Sequence, residues 1–211
     1  MADNYLEKRA AELSQARPRV VRNHPSLESL LKRNRSYRGF DAARPVSREE
    51  LLGLLEVVPW VGSGNNAQPL RFRLVTGEET ERVHPLVKLG AALPQEHLPH
   101  AGEEPSAYIV VCSDSSGRAV DIDLGIAAQS ILLRAVERGL GGIFILNFRA
   151  DALREALSLP LPPLAVLGIG KPAERIFLLS AHPGDSLAYY RKDGAHFVPK
   201  LPVEALLLPS P

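Results

Sequence analysis

Asp121-Ile-Asp-Leu-Gly-Ile-Ala-Ala-Gln-Ser-Ile-Leu-Leu-Arg-Ala-Val-Glu-Arg-Gly-Leu-Gly-Gly-Ile-Phe-Ile-Leu146 reads as a helix running almost directly into a strand, and this pairing decides the fold. From Asp121 or Asp123 to Arg138 the apolar residues recur with helical spacing around much of the circumference, so the helix is expected to be mostly buried. Gly139 ends it, because glycine accepts the left-handed backbone that closes a helix at low cost. Gly142 to Leu146 is then a short apolar run of strand character. The alternation extends outward in both directions. Ala107 to Cys112 is a strand on the N-terminal side; Ala150 to Leu157 is a short helix and Leu164 to Ile169 a further strand on the C-terminal side. Helices interleaved with strands imply helix layers packed on a sheet rather than a bundle.

Further toward the N-terminus, Leu70 to Thr76 reads as a strand. It is preceded by a loop, Gly62 to Pro69, whose glycines leave backbone amides open to close approach by a ligand. Before that loop, Ser47 and Glu50 have capping-box spacing, and Leu51, Leu54, Leu55 and Val58 follow with helical period up to Pro59. Ser26 caps an earlier helix with Leu27, Leu30 and Leu31 on one face. Asn4 to Gln15 has the pattern of a short helix in an arm spanning 1–25 ahead of a domain spanning 26–200. Between Gly77 and Pro105 there is weak helical periodicity near Val83 to Leu89 and then a loop with Pro and His; a lid over a site and a plain surface loop are both compatible with it. Beyond Lys171 periodicity is poor. Phe197, Val198, Leu201, Val203 and Leu206 to Leu208 are nevertheless too apolar for a solvated tail, so this end, with 201–211 as its last part, is expected to pack against something, a second subunit included.

At 211 residues and 45% hydrophobic the chain suffices for one substantial core. Its 25 Lys and Arg against 24 Asp and Glu leave a net charge of +1, too small for a long-range field that gathers nucleic acid or anionic membrane. The single cysteine, Cys112, has no intramolecular disulfide partner, and no apolar run is long enough to span a bilayer. A reducing, cytoplasmic setting is expected.

Several chemistries are excluded by spacing. Gly139-Leu-Gly-Gly-Ile-Phe144 follows a helix and precedes a strand, the reverse of a dinucleotide-binding turn. Gly168-Ile-Gly-Lys171 lacks the spacing of a phosphate-binding P-loop. The histidines are scattered, with only His97 and His100 close together, so no metal is expected. No Gly-x-Ser-x-Gly elbow occurs. The cluster Lys32, Arg33, Arg35, Ser36, Arg38 stands out in a nearly neutral protein. It is either a solvated basic face or a site for one phosphomonoester, for which guanidinium forks and a hydroxyl are well suited.

Six short motifs occur in one order: Asn34-Arg-Ser-Tyr-Arg-Gly-Phe40, Ser63-Gly-Asn-Asn-Ala-Gln-Pro69, Asp123-Leu-Gly-Ile-Ala-Ala-Gln129, Gly139-Leu-Gly-Gly142, Gly168-Ile-Gly-Lys-Pro172 and His196-Phe-Val-Pro-Lys200. In this order and spacing the chain resembles the FMN-dependent nitroreductase-like family over roughly Leu30 to Lys200. The resemblance implies an α+β three-layer sandwich, with helices covering a mostly antiparallel sheet, a C-terminal arm exchanged with the partner, and FMN bound at the interface of a homodimer. By position it assigns Arg35, Ser36, Arg38 and Lys200 to the FMN phosphate, and Ser63, Asn66 and Gln68 to a flavin-contacting loop commonly supplied by the other subunit. Gly142, Leu146 and Asn147 belong to the segment whose backbone amides face the flavin ring edge. No side chain is implied as a catalytic acid or base. The implied activity is NADH- or NADPH-linked ping-pong reduction of nitroaromatic, quinone or other electrophilic acceptors. The alternatives are flavin binding without turnover and a specialised flavin reaction such as dehalogenation, dehydrogenation or flavin fragmentation. Gly62, Leu146 and Leu201 stand where the family often has Pro, Gly and a basic residue, which leaves Lys200 as the sole C-terminal phosphate ligand.

Overall fold

Four strands, β1 (Arg71–Thr76), β2 (Ala107–Cys112), β3 (Gly141–Ile145) and β4 (Pro163–Gly170), form an antiparallel sheet in the order β1-β2-β4-β3 in a computed structural model that describes residues 24–208. The helix expected over Asn4–Gln15 lies outside the described residues. Every residue of β2 is buried, and because strand side chains alternate, β2 feeds two cores at once. Ala107, Ile109 and Val111 join Leu51, Leu54, Leu124, Ile131 and Leu167 in one. Tyr108, Val110 and Cys112 join Phe40, Val75, Val83, Ile143, Leu153 and Val166 in the other. Two cores on the two faces of one sheet make the three layers.

The first core lies under α1 (Leu27–Arg33), α2 (Arg48–Leu55) and α3 (Arg118–Glu137), of which α2 and α3 bury side chains in it. The second lies under α4 (Ala150–Ala156) and short 3-10 turns at Gly77–Arg82 and His84–Leu86. These turns stand where weak helical periodicity was expected. Ser26 caps α1 through an N–H of Ser29 at 3.2 Å. Ser47 and Glu50 form the complete capping box of α2, with reciprocal bonds of 2.9 and 3.2 Å. α3 begins at Arg118, ahead of both expected starts. Gly117, which precedes it at φ +109°, offers no side-chain cap, so nothing local in the sequence marks that end. Gly139 closes it at φ +77° as expected. The expectation that α3 is mostly buried is corrected: one face is, but Ile122 and Ile126 on the other are 52% and 40% exposed within a single chain.

Beyond Lys171 the irregular end proves to be a second sheet. β5 (Arg175–Ser180), β6 (Tyr190–Lys192) and β7 (Ala195–Lys200) form it in the order β5-β7-β6, with β5 and β7 parallel. β6 has only three residues and β7 mixes polar and apolar residues with a proline, so neither marks a strand in sequence; the apolar run Ile176 to Leu179 of β5 does, and it was not read as one. On one face Phe177, Phe197 and Tyr190 stack across the three strands at 5.4 and 5.2 Å between ring centroids. The other face carries Ile176, His196, Val198 and Lys200 toward the body of the molecule. Val203 to Leu206 forms a last 3-10 turn with exposed leucines.

Candidate functional site

The stretch after α1 is stitched to the edge of the main sheet. β3 is an edge strand; Ser36 forms a parallel bridge with Gly142, and the Tyr37 N–H donates to the Gly142 carbonyl at 3.2 Å. This close approach needs Gly141, while Gly142 is packed against the core. A Cβ on Gly141 would lie 2.6 Å from the Tyr37 ring, and one on Gly142 would lie 2.6 Å from both the Gly168 carbonyl oxygen and the Leu132 side chain. Further along, the Asp41 N–H donates to the Lys171 carbonyl at 2.8 Å and the Ala173 N–H to the Gly39 carbonyl at 3.1 Å. Glu174 accepts from the Arg38 backbone N–H and pairs with Arg191 of β6 at 2.5 Å, both side chains nearly buried. The basic stretch is thereby held from both sides.

What it is held against is a cavity of about 370 Å³ lined by Arg35, Ser36 and Arg38 from this stretch, Gln129 from α3, Tyr189, and His196 and Lys200 from β7. Arg35 and Lys200 are far apart in sequence, yet the second sheet carries Lys200 back to the first basic cluster. Among the described residues, no carboxylate lines the cavity. Arg38 is buried; its guanidinium donates to the Ser36 carbonyl at 2.8 Å and lies 4.9 Å from the centre of the Tyr189 ring. Arg35 reaches back to the Leu31 carbonyl, and burial pushes its guanidinium below its ordinary pKa. Among the described residues, the Nε atoms of both Arg35 and Arg38 are buried with no hydrogen-bond partner. Unsatisfied buried donors are costly, and here they surround a space that an anion fits.

Ser63, Asn66 and Gln68 stand elsewhere. They line a separate cavity of about 190 Å³ with Val61, Pro69 and Asp123. The Ser63 hydroxyl donates to one Asp123 carboxylate oxygen at 2.6 Å, the Gly64 N–H donates to the other at 2.9 Å, and the Gln68 N–H donates to Ser63 Oγ at 2.9 Å. Asn65, Asn66 and Gln68 all take positive φ, a left-handed conformation that this clamp holds in place. Asp123, Ala127 and Gln129 all belong to α3, but the first two face this loop while Gln129 faces the basic cavity on the opposite side of the helix. One chain therefore presents the two groups on two flanks of α3.

The remaining expected residues line neither cavity. Gly142 is core, packed against Gly168, Leu132 and Ile169, with its carbonyl accepting from the Tyr37 N–H. Leu146 lies just past β3 and is 64% exposed. Asn147 beside it is exposed, with its carbonyl accepting from the Lys88 N–H at 2.9 Å. Sequence reasoning missed four residues: Asp123, Gln129, Tyr189 and His196. Three of them lay inside or beside quoted motifs, but their roles depend on contacts across the fold. Among the described residues there is no cluster of metal-ligating groups and no helix long and apolar enough to cross a membrane.

The fold is similar to that of solved nitroreductases. A nitroreductase family protein from Clostridium difficile 630 is 25% identical, with TM-score 0.58 over 71% of this chain and 86% of that one. A protein assigned as a nitroreductase from Exiguobacterium sibiricum 255-15, solved in complex with FMN, is 20% identical, with TM-score 0.63 over 90% and 99%. The FMN and NADPH-dependent nitroreductase NfnB from Sphingopyxis sp. strain HMH is 20% identical, with TM-score 0.58 over 71% and 89%. Comparison with curated proteins gave no match. The chain belongs to the Nitroreductase family, whose model matches residues 31–171. Membership supports a flavin-dependent oxidoreductase in general.

Proposed function

We propose that this chain is an FMN-dependent oxidoreductase that works as a homodimer, oxidises NADH or NADPH, and reduces nitroaromatic, quinone or other electrophilic acceptors. The observation that carries the reading is the convergence of Arg35, Ser36, Arg38 and Lys200, from opposite ends of the domain, on one cavity that no carboxylate among the described residues lines. The residues fit a phosphomonoester. Three cations and a hydroxyl donate, and two buried guanidinium Nε atoms have no other partner among the described residues.

FMN bound there would supply the redox chemistry itself, accepting hydride from the nicotinamide and passing it to the acceptor. The chain's own residues bind and orient. Arg35, Ser36, Arg38 and Lys200 would hold the phosphate, and the Ser63, Asn66 and Gln68 loop would reach the flavin of the partner subunit, as its placement on the opposite flank of α3 favours. Backbone amides near Leu146 and Asn147 would stabilise negative charge at the ring edge. The visible absorption spectrum of the purified protein, with released cofactor identified by mass, tests this reading. Stoichiometric FMN that is bleached anaerobically by NADH or NADPH is expected; protein that neither retains FMN nor binds it on titration would overturn it.

A further inference from the structure

His196 is the second residue of β7, and strand alternation puts it on the same side as Val198 and Lys200, facing the basic cavity. It is 1% exposed, and both ring nitrogens lack a hydrogen-bond partner among the described residues. A neutral imidazole carries one donor and one acceptor, so both capacities go unmet at once, an arrangement that calls for a missing polar partner. The groups packed around it are nearly all donors. Arg38, with Arg35 in the same cavity, faces it from the stretch after α1; Arg191 faces it from β6, ion-paired to Glu174; Lys200 lies further along its own strand. The Tyr189 ring packs on it at 5.0 Å between centroids, and Gln129 lines the cavity from α3. Burial first, then Arg38 and Arg191, hold the imidazole well below its ordinary range, at about 4, so it is neutral near pH 7.

We propose that His196 is a ligand of the phosphate group, and that it takes up a proton when the phosphate enters the cavity. This rests on the FMN reading above. The entering group reverses the local balance: a dianion adjacent to the imidazole offsets the repulsion from Arg38 and Arg191, and its oxygens accept from the imidazolium N–H groups. The second ionisation of a phosphomonoester lies near 6, so above pH 7 the ligand arrives already doubly charged and the proton comes from solvent. His196 therefore favours phosphorylated over unphosphorylated flavin, and phosphate binding is coupled to proton uptake.

Isothermal titration of full-length apoprotein with FMN at pH 7.0–8.5, in buffers of different ionisation enthalpy, counts the protons directly. Uptake of a large fraction of one proton near pH 7 is expected, with FMN affinity falling by up to about tenfold per pH unit as the loaded-state pKa is passed. Riboflavin, which lacks the phosphate, should bind with no uptake. In His196→Gln the uptake should vanish and the FMN-over-riboflavin preference should shrink. Should that variant not fold, the FMN and riboflavin counts on the parent protein decide alone. FMN binding without proton uptake, or equal uptake in a folded His196→Gln, overturns the proposal and leaves the FMN reading standing; absence of FMN binding overturns both.

Discussion

Arg38 illustrates how one side chain is committed before any ligand arrives. Its backbone N–H is fixed by Glu174, one guanidinium nitrogen by the Ser36 carbonyl, and its planar face by Tyr189, while Nε remains without a partner among the described residues. A guanidinium so preorganised loses little freedom on binding phosphate. Arg38→Ala should weaken FMN binding by about 1.5–3 kcal/mol, roughly 10- to 150-fold, measured by fluorescence titration of the apoprotein. Turnover should recover in excess FMN, since the arginine holds the cofactor and takes no part in hydride transfer; unchanged affinity would leave the cluster a solvated face. His196 gives a second test at this scale, in ligand-free protein. Its folded pKa, about 4, lies below the ordinary 6.5, so between these values the unfolded chain binds more protons than the folded one. The stability contributed by the neutral imidazole is complete above about pH 6.5 and is lost as pH falls toward 4. Thermal melts across this window should decline more steeply for the parent than for His196→Gln, and parallel declines would contradict the assignment. Arg35, Ser36 and Arg38 were legible in the sequence because they are neighbours in it. His196 was not, because its environment is assembled by Arg38, Tyr189 and Arg191 from other elements.

Among the elements, the four strands of the main sheet and the locally capped helix ends were read correctly, while the start of α3 and the second sheet were not. The Ser47–Glu50 capping box and the stop at Gly139 involve only atoms within a few residues, and both stand as read. The start of α3 at Arg118 has no side-chain cap to announce it, and β6 and β7 exist because they pair with each other and with β5 rather than because either carries a clear pattern. The same reason hid Asp123, whose two hydrogen bonds shape a loop about sixty residues away. Gly142 was assigned, with Leu146 and Asn147, to the segment facing the flavin ring edge; within this chain Gly141 gives room to the Tyr37 ring, and Gly142 packs against Gly168, Leu132 and Ile169 inside the core. That packing predicts the outcome of Gly142→Ala. The added methyl would meet the Gly168 carbonyl of β4, a backbone atom inside the sheet that cannot step aside. Overpacking at such a position costs about 1–3 kcal/mol, to be read from the urea midpoint. A Gly142→Ala protein as stable as the parent would mean that the strand edge is looser than these contacts imply.

Taken as a whole, the molecule leaves apolar surface that a lone chain in water does not favour. α3 exposes Ile122 and Ile126; α1 exposes Leu27 and Leu31 at 65% and 41%; Trp60 is 77% exposed beside an open groove of about 270 Å³ lined by Leu30, Val57, Val61 and Leu133. Leu206, Leu207 and Leu208 at the C-terminal end are 67%, 69% and 90% exposed. Exposed apolar residues in this number mark an interaction face, and a second copy accounts for more of them than a small ligand does. The same copy solves the division of the site, because the Ser63 loop and the basic cavity occupy opposite flanks of α3, and pairing α3 with its counterpart would bring the loop of one chain toward the cavity of the other. Light scattering at micromolar concentration should therefore give twice the 23.0 kDa chain mass. Ile126→Lys places a charge in the exposed stripe of α3 without touching the core, so the single chain should fold while the pair separates. If the site is shared, the separated chain should lose FMN along with its partner, and adding concentrated protein should restore both together. A parent protein that is monomeric yet holds FMN stoichiometrically would refute the shared site, and the Ser63, Asn66 and Gln68 loop would then need a role within its own chain.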